Sequence, residues 1–139
     1  MSAAPSPFRH TLRVRWSEVD PQGVVFNPNY FVYADVAGTE FFRSIGMLQS
    51  TMPDLQECYA VDAHAQFRAP ARFDDLLDIS VAPERPGRSS FTLAIDIHRD
   101  ETLLVAVRMV YFRARDGESL PLSDNFRARL AAAGGASPG

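Results

Sequence analysis

The sequence predicts an α+β domain in which one antiparallel sheet of five strands curves around a single long helix. Three observations lead there. Five stretches alternate apolar and polar residues with the two-residue period of a strand. One stretch, from about Asn29 to Ile45, repeats apolar residues at helical spacing and is apolar nearly all round, as a buried helix is. The order is strand, helix, then four strands, which one sheet covered on one face by the helix satisfies with few assumptions.

The first strand starts near Thr11, where Leu12, Val14 and Trp16 share a face opposite Thr11, Arg13 and Arg15. The segment SEVDPQGVVFNPNY follows, and its Pro, Gly and Asn content reads as loop. Pro28 falls where a first helical turn tolerates proline. In the helix, Tyr30, Tyr33, Ala34, Ala37, Phe41 and Ile45 form the apolar stripe. Asp35, Thr39 and Arg43 form a narrow polar seam, and Gly46 is a stop. Residues 47–58 read as irregular. The next strand sets Tyr59, Val61, Ala63, Ala65 and Phe67 against Asp62, His64, Gln66 and Arg68. Leu77, Ile79 and Val81 mark the next strand, followed by Phe91 to Ile97 and Leu103 to Tyr111. The joins PERPGRSS and HRDETL suit hairpins, so the last four strands read as a meander. Ser123 caps a short final helix. The unprotected sheet edges predict pairing with a second copy.

The chain of 139 residues reads as one domain over 1–139, with an ordered core of about 8–130 and mobile ends at 1–7 and 131–139. No apolar run reaches the roughly 18 residues of a membrane span. The start MSAAPSPFRH predicts no secretory signal. The single cysteine, Cys58, excludes an internal disulfide and a multi-cysteine zinc site, so a reducing cytoplasm is the expected location. The net charge of −3 disfavours wholesale nucleic-acid binding. All 14 basic residues are arginine, which excludes a Schiff-base or P-loop lysine.

The chemistry concentrates in Asp20-Pro21-Gln22-Gly23-Val24-Val25-Phe26-Asn27-Pro28-Asn29-Tyr30. A carboxylate lies in a tight loop, and seven residues later a helix begins. The first helical turn presents unpaired N–H donors and partial positive charge. Such donors stabilise an oxyanion while a nearby carboxylate attacks or activates water, the two parts that acyl transfer needs. Gly23 permits a turn that a side chain would block. Taken by itself, the same spacing also suits a plain turn opened by Asp-Pro.

The run VRWSEVDPQGVVFNPNYFVYAD resembles the active-site segment of the 4-hydroxybenzoyl-CoA thioesterase family of hotdog-fold proteins. The shared pattern is D-P-x-G-[IV]-V, two residues, then P-N-Y. The resemblance spans about Phe8 to Arg113 and is weaker outside the motif. It implies a curved antiparallel sheet around a central helix, in dimers or tetramers with sites between subunits. It implies hydrolysis of an acyl-CoA, with an aromatic or short acyl group favoured. Asp20 takes the position of the catalytic aspartate, as nucleophile or as base for water. The backbone N–H of Asn27 takes the position of the oxyanion donor. Gly23 and Tyr30 are carried over as substrate-binding residues, and so are Arg85 and Arg88 in PERPGRSS, with CoA phosphates as their ligand. Arg68 and Arg72 are weaker candidates for the same role. Neither a metal nor a separate cofactor is expected, since CoA arrives with the substrate.

Other residues carry less. His64 reads as a structural histidine, and His10 and His98 receive no role. Glu18 flanks the loop and is expected to face solvent. Asp35 is a second candidate carboxylate, buried near the pocket, or else a hydrogen-bonding one. Glu40 shares its helix. Cys58 has no activating neighbour in sequence. Two rival functions remain: a hydratase or dehydratase, disfavoured because no histidine lies between Asp20 and Tyr30, and a non-catalytic acyl-CoA or acyl-carrier binding protein.

Overall fold

A computed structural model of the chain describes residues 8–48 and 53–134. Expectations for residues 1–7 and 135–139 lie outside the described residues. Strand β1 (Phe8–Arg13) leads through a 3-10 turn over Trp16–Glu18 and the Asp20 loop to helix α1 (Asn29–Ser44). A second 3-10 turn, Pro53–Glu57, precedes β2 (Cys58–Phe67), β3 (Leu76–Pro83), β4 (Ser90–Arg99) and β5 (Thr102–Arg115). A two-residue strand β6 (Glu118–Ser119) and helix α2 (Asp124–Ala133) complete the described chain.

The helix forms where the periodicity places it. Ile45 caps it, and Gly46 follows at φ +69°, the left-handed conformation that glycine adopts without steric cost. Tyr30, Tyr33, Ala34, Ala37, Phe41 and Phe42 are buried on its inner face. That face packs over β1, β3, β4 and β5. The inward residues of β4 are Phe91, Leu93, Ile95 and Ile97, each no more than 1% exposed. They alternate with half-buried Thr92, Ala94, Asp96 and His98, as the strand period requires.

The antiparallel sheet runs β1-β3-β4-β5-β2, with β6 paired to β5, so it has six strands rather than five. The sixth arises because Asp116 and Gly117, at φ +51° and +80°, make a tight hairpin turn. Only β3, β4 and β5 form a meander. Strand β2 pairs with β5 instead of β3, and residues 68–75 carry the chain from one edge toward the other. Two helices cover the sheet rather than the single one of the expected fold class, and the second is the final helix that the Ser123 cap predicts. Ser123 caps α2 by accepting from the Phe126 N–H at 3.2 Å. Helix α2 extends to Ala133, past the expected order limit of 130, because Phe126, Leu130 and Ala131 are buried.

One alternation is broken. Register shifts between Ala60 and Asp62, so Val61 is a bulge. On one side of it Ala63, Ala65 and Phe67 pair with Met109, Val107 and Val105. On the other, Tyr59 pairs with Phe112. Because partners across a ladder share a face, Tyr59 lies on the opposite face from Phe67, not beside it.

Four segments meet at one end of the sheet: the end of β1, the Asp20 loop, the start of α1, and residues 68–75. Backbone bridges Val19–Val25 and Val24–Arg72 sew them together. The β3–β4 turn lies at the other end.

Candidate active site

The Asp20 loop is a closed turn. The Asp20 N–H donates to the Val24 carbonyl at 2.8 Å, and the Gly23 N–H donates to the Asp20 carbonyl at 2.9 Å. Gly23 sits at φ +80°, where a β-carbon would strain the backbone. Asp20 Oδ1 accepts from the Gln22 N–H at 2.8 Å and the Val24 N–H at 3.4 Å. Oδ2 has no hydrogen-bond partner among the described residues. The turn thus fixes the carboxylate through one oxygen and leaves the other open.

Glu18, expected in solvent, is 8% exposed. Its carboxylate accepts from the Arg15 N–H at 2.8 Å, from Arg15 Nε and Nη2 at 2.9 and 2.6 Å, and from the Tyr33 hydroxyl at 3.0 Å. Its carbonyl accepts from the Phe26 N–H and from Asn29 Nδ2, both at 2.9 Å. Burial works against the charge on Glu18, but the bonds from Arg15 and Tyr33 outweigh it and hold the carboxyl below its usual range. Burial, then the bond to Glu18, pushes the Tyr33 phenol upward. On the other flank, the Tyr30 hydroxyl accepts from the Ala71 N–H at 2.9 Å. The first turns of α1 therefore clamp both the Asp20 loop and the 68–75 segment.

Between these flanks opens a cleft of about 220 Å3 lined by Val24, Val25, Asn27, Tyr30, Phe67 and Arg68, closed by the Ala69-Pro70 step. The Phe67 ring meets Tyr30 edge-on at 5.6 Å. Asp20 does not line this cleft but is bonded to Val24, which does.

The donors here differ from a simple open helix end. The N–H groups of Asn29, Tyr30 and Phe31 are taken by the carbonyls of Phe26, Asn27 and Pro28 at 2.9, 3.2 and 3.1 Å. The N–H groups of Val25 and Phe26 are taken by Ala71 and Glu18, both at 2.9 Å. Pro28 has none. Across residues 25–31, the Asn27 N–H is the one backbone donor without a partner among the described residues, and Asn27 lines the cleft.

The remaining candidates lie elsewhere. Arg85 and Arg88 are exposed in the β3–β4 turn, roughly 25 Å along β3 from the cleft. One protomer does not bring them to Asp20. Arg72 is exposed beside the Asp20 loop. Asp35 is exposed rather than buried, and lines a second cavity of about 210 Å3 with Thr39, Phe42, Cys58 and Tyr111. Burial, followed by the Asp54 charge, pushes the Cys58 thiol up to about 11, which suits packing rather than nucleophilic attack. His64 is exposed opposite Arg108. Sequence reasoning missed Glu18 and Tyr33 as the clamp, because their pairing spans 15 residues and carries no motif. It ranked Arg68 low, although this residue reaches the cleft. Among the described residues no three His, Cys, Asp or Glu side chains group as a metal site requires, and no helix is long and apolar enough to cross a membrane.

Comparison with known proteins adds an independent line. The family model described as thioesterase superfamily matches residues 22–106, beginning two residues after Asp20. An acyl-CoA thioester hydrolase of Escherichia coli, YbgC, is 30% identical over 70% of this chain and 74% of its own. A 4-hydroxybenzoyl-CoA thioesterase of a Pseudomonas species is 25% identical over 78% of this chain and 84% of its own. The crystal structure of a hypothetical protein from Aquifex aeolicus superposes with a TM-score of 0.82 at 26% identity, covering 89% of this chain and 99% of that one.

Proposed function

The chain belongs to the thioesterase superfamily, and from that premise we propose that it hydrolyses an acyl-CoA thioester, with an aromatic or short acyl group, to free acid and CoA. The observation that carries this reading is the unpaired Asn27 N–H on the cleft. Every neighbouring backbone donor is engaged, so a carbonyl oxygen entering the cleft has one amide to meet. That amide is held rigid by the bonds around it, as an oxyanion donor must be to act without reorganisation.

Asp20 supplies the second part. Its Oδ1 is tied to the turn, leaving Oδ2 to act. As nucleophile, Oδ2 bonds to the thioester carbon, the oxyanion forms against Asn27, and collapse expels the CoA thiolate. Water then cleaves the mixed anhydride and restores the carboxylate. As base, Oδ2 takes a proton from water, whose oxygen attacks the same carbon. Both routes end at the same products and call on no metal. The thiolate is a good leaving group, which is why a carboxylate suffices. Gly23 keeps the turn closed, and the Tyr30 ring forms part of the cleft wall.

Arg85 and Arg88 enter this reading through a second copy. Strand β2 is an edge strand with Tyr59, Val61 and Phe67 each more than half exposed, and α1 exposes Val32 and Val36. Such an edge favours pairing with a partner. Antiparallel pairing of two β2 strands brings the Cys58 end of one protomer to the Phe67 end of the other. The partner's β3–β4 turn then stands on the cleft side, where its arginines suit CoA phosphates. The assembly is thus a homodimer, or a tetramer built from two of them, working in the reducing cytoplasm.

Thiol release from a panel of aromatic, short-chain and long-chain acyl-CoA esters tests the reading. Turnover of aromatic or short esters well above the uncatalysed rate supports it. No turnover across the panel contradicts it.

A further inference from the structure

We propose that Arg68 selects an anionic group of the thioester at this cleft, an inference that rests on the hydrolase reading above. Of the fourteen arginines, eight form ion pairs with carboxylates among the described residues. Arg68 has no side-chain partner among the described residues, and it lines the cleft. Two carboxylates of the segments that flank the cleft already hold other arginines: Asp75 holds Arg99 at 2.7 Å, and Glu18 holds Arg15.

The rest of the lining makes that charge stand out. Val24, Val25, Phe67 and Pro70 are apolar. The Tyr30 hydroxyl accepts from the Ala71 N–H, the Asn27 N–H is assigned to the thioester carbonyl, and both side chains are neutral. A substrate that carries a negative charge into this cleft therefore finds one cation, Arg68, among otherwise neutral lining residues. Arg68 also springs from fixed backbone. Its N–H and that of Ala69 both donate to the Leu104 carbonyl, at 2.8 and 3.1 Å. The guanidinium fork suits a phosphate or a carboxylate equally. The anion is thus either the CoA diphosphate or a carboxylate on the acyl group.

Arg72 provides an internal control. It lies four residues on, is exposed, has no side-chain ion pair among the described residues, and falls outside the cleft lining. Both arginines are exposed, so neither substitution should unfold the protein.

The test uses three non-hydrolysable thioethers: S-benzyl-CoA, S-(4-carboxybenzyl)-CoA and S-(4-carboxybenzyl)-pantetheine. Calorimetric titration compares the unaltered protein with Arg68→Ala and Arg72→Ala. Removing the charge-assisted hydrogen bonds that Arg68 donates weakens binding by roughly tenfold to a hundredfold. If the CoA phosphate is the ligand, Arg68→Ala weakens both CoA compounds and spares the pantetheine compound. If the acyl carboxylate is the ligand, it weakens both carboxybenzyl compounds and spares S-benzyl-CoA. Either pattern supports the proposal when Arg72→Ala stays within twofold. Unchanged binding in Arg68→Ala, or an equal loss in Arg72→Ala, overturns it. Because binding is read without turnover, an inactive protein that still shows the Arg68 pattern fails the hydrolase reading alone. An active protein without the pattern fails this inference alone.

Discussion

The Tyr33 hydroxyl donates to Glu18 Oε1 at 3.0 Å, tying the second turn of α1 to a carboxylate two residues ahead of Asp20. Both side chains are buried, and the bond fixes how the Asp20 loop meets the helix start. Tyr33→Phe removes that donor and leaves the packing volume. It should cost about 1 kcal/mol of stability in urea denaturation. It should also lower kcat more than it raises KM, because Asp20 loses alignment while the cleft keeps its lining. Equal stability and unchanged kcat would show that the bond aligns nothing.

Gly23 offers a second lever. Its φ of +80° is strained for any residue with a β-carbon, although no atom lies within 4 Å of the place that carbon would take. Gly23→Ala should therefore act through the backbone alone and cost about 1–2 kcal/mol. A thermal melt checks the stability. Activity should fall with it, since the Gly23 N–H closes the turn under Asp20.

Acid should loosen the far end of the sheet. Glu57 accepts from Arg113 and Arg115, and these bonds draw its carboxyl from 4.5 down to about 2. The folded state thus binds fewer protons than the unfolded state within that window. The contribution is fully present above the unfolded value near 4.5 and is lost as pH falls through about 2. Urea midpoints followed from pH 5 to pH 2 should decline. In Glu57→Gln the decline should be shallower, and high salt should shrink the part of the difference owed to Arg115, the exposed partner.

The exposed edge gives a prediction about assembly. Light scattering should report a dimer or a tetramer for the unaltered chain. Val61→Lys, which puts a charge at the β2 bulge, should shift the protein toward monomer. Turnover should fall with it, because only the proposed β2–β2 pairing would bring the partner's Arg85 and the partner's Arg88 to the cleft. A fully active monomer would contradict the shared site.

Much of this architecture is readable in the residues. The α1 stripe, the Gly46 stop, the Ser123 cap and the β4 alternation each follow from local spacing, and each is present where spacing puts it. The position of β2 is not local. Nothing in residues 58–67 states that β5 is their neighbour, since that choice depends on where residues 68–75 cross. The Val61 bulge is likewise set by the partner strand. At the site, Asp20 and Gly23 share one closed turn because a short motif holds them, and Asn27 follows on the cleft wall. Glu18 looks like a surface carboxylate in sequence. Its burial depends on Tyr33 and on the Arg15 fork folding back, which only the assembled loop shows. The Asp-Gly pair at 116–117 is a hairpin signal in plain view, and β6 follows from it.

The most direct measurement sets the unaltered chain beside Asp20→Asn, with single-turnover thiol release from benzoyl-CoA and titration of S-benzyl-CoA on the same samples. Replacing the open oxygen by an amide should slow release by about 10²–10⁴-fold and leave the affinity within a few-fold. Undiminished release from Asp20→Asn would contradict the account, because the bond to sulfur would then be breaking without that carboxylate.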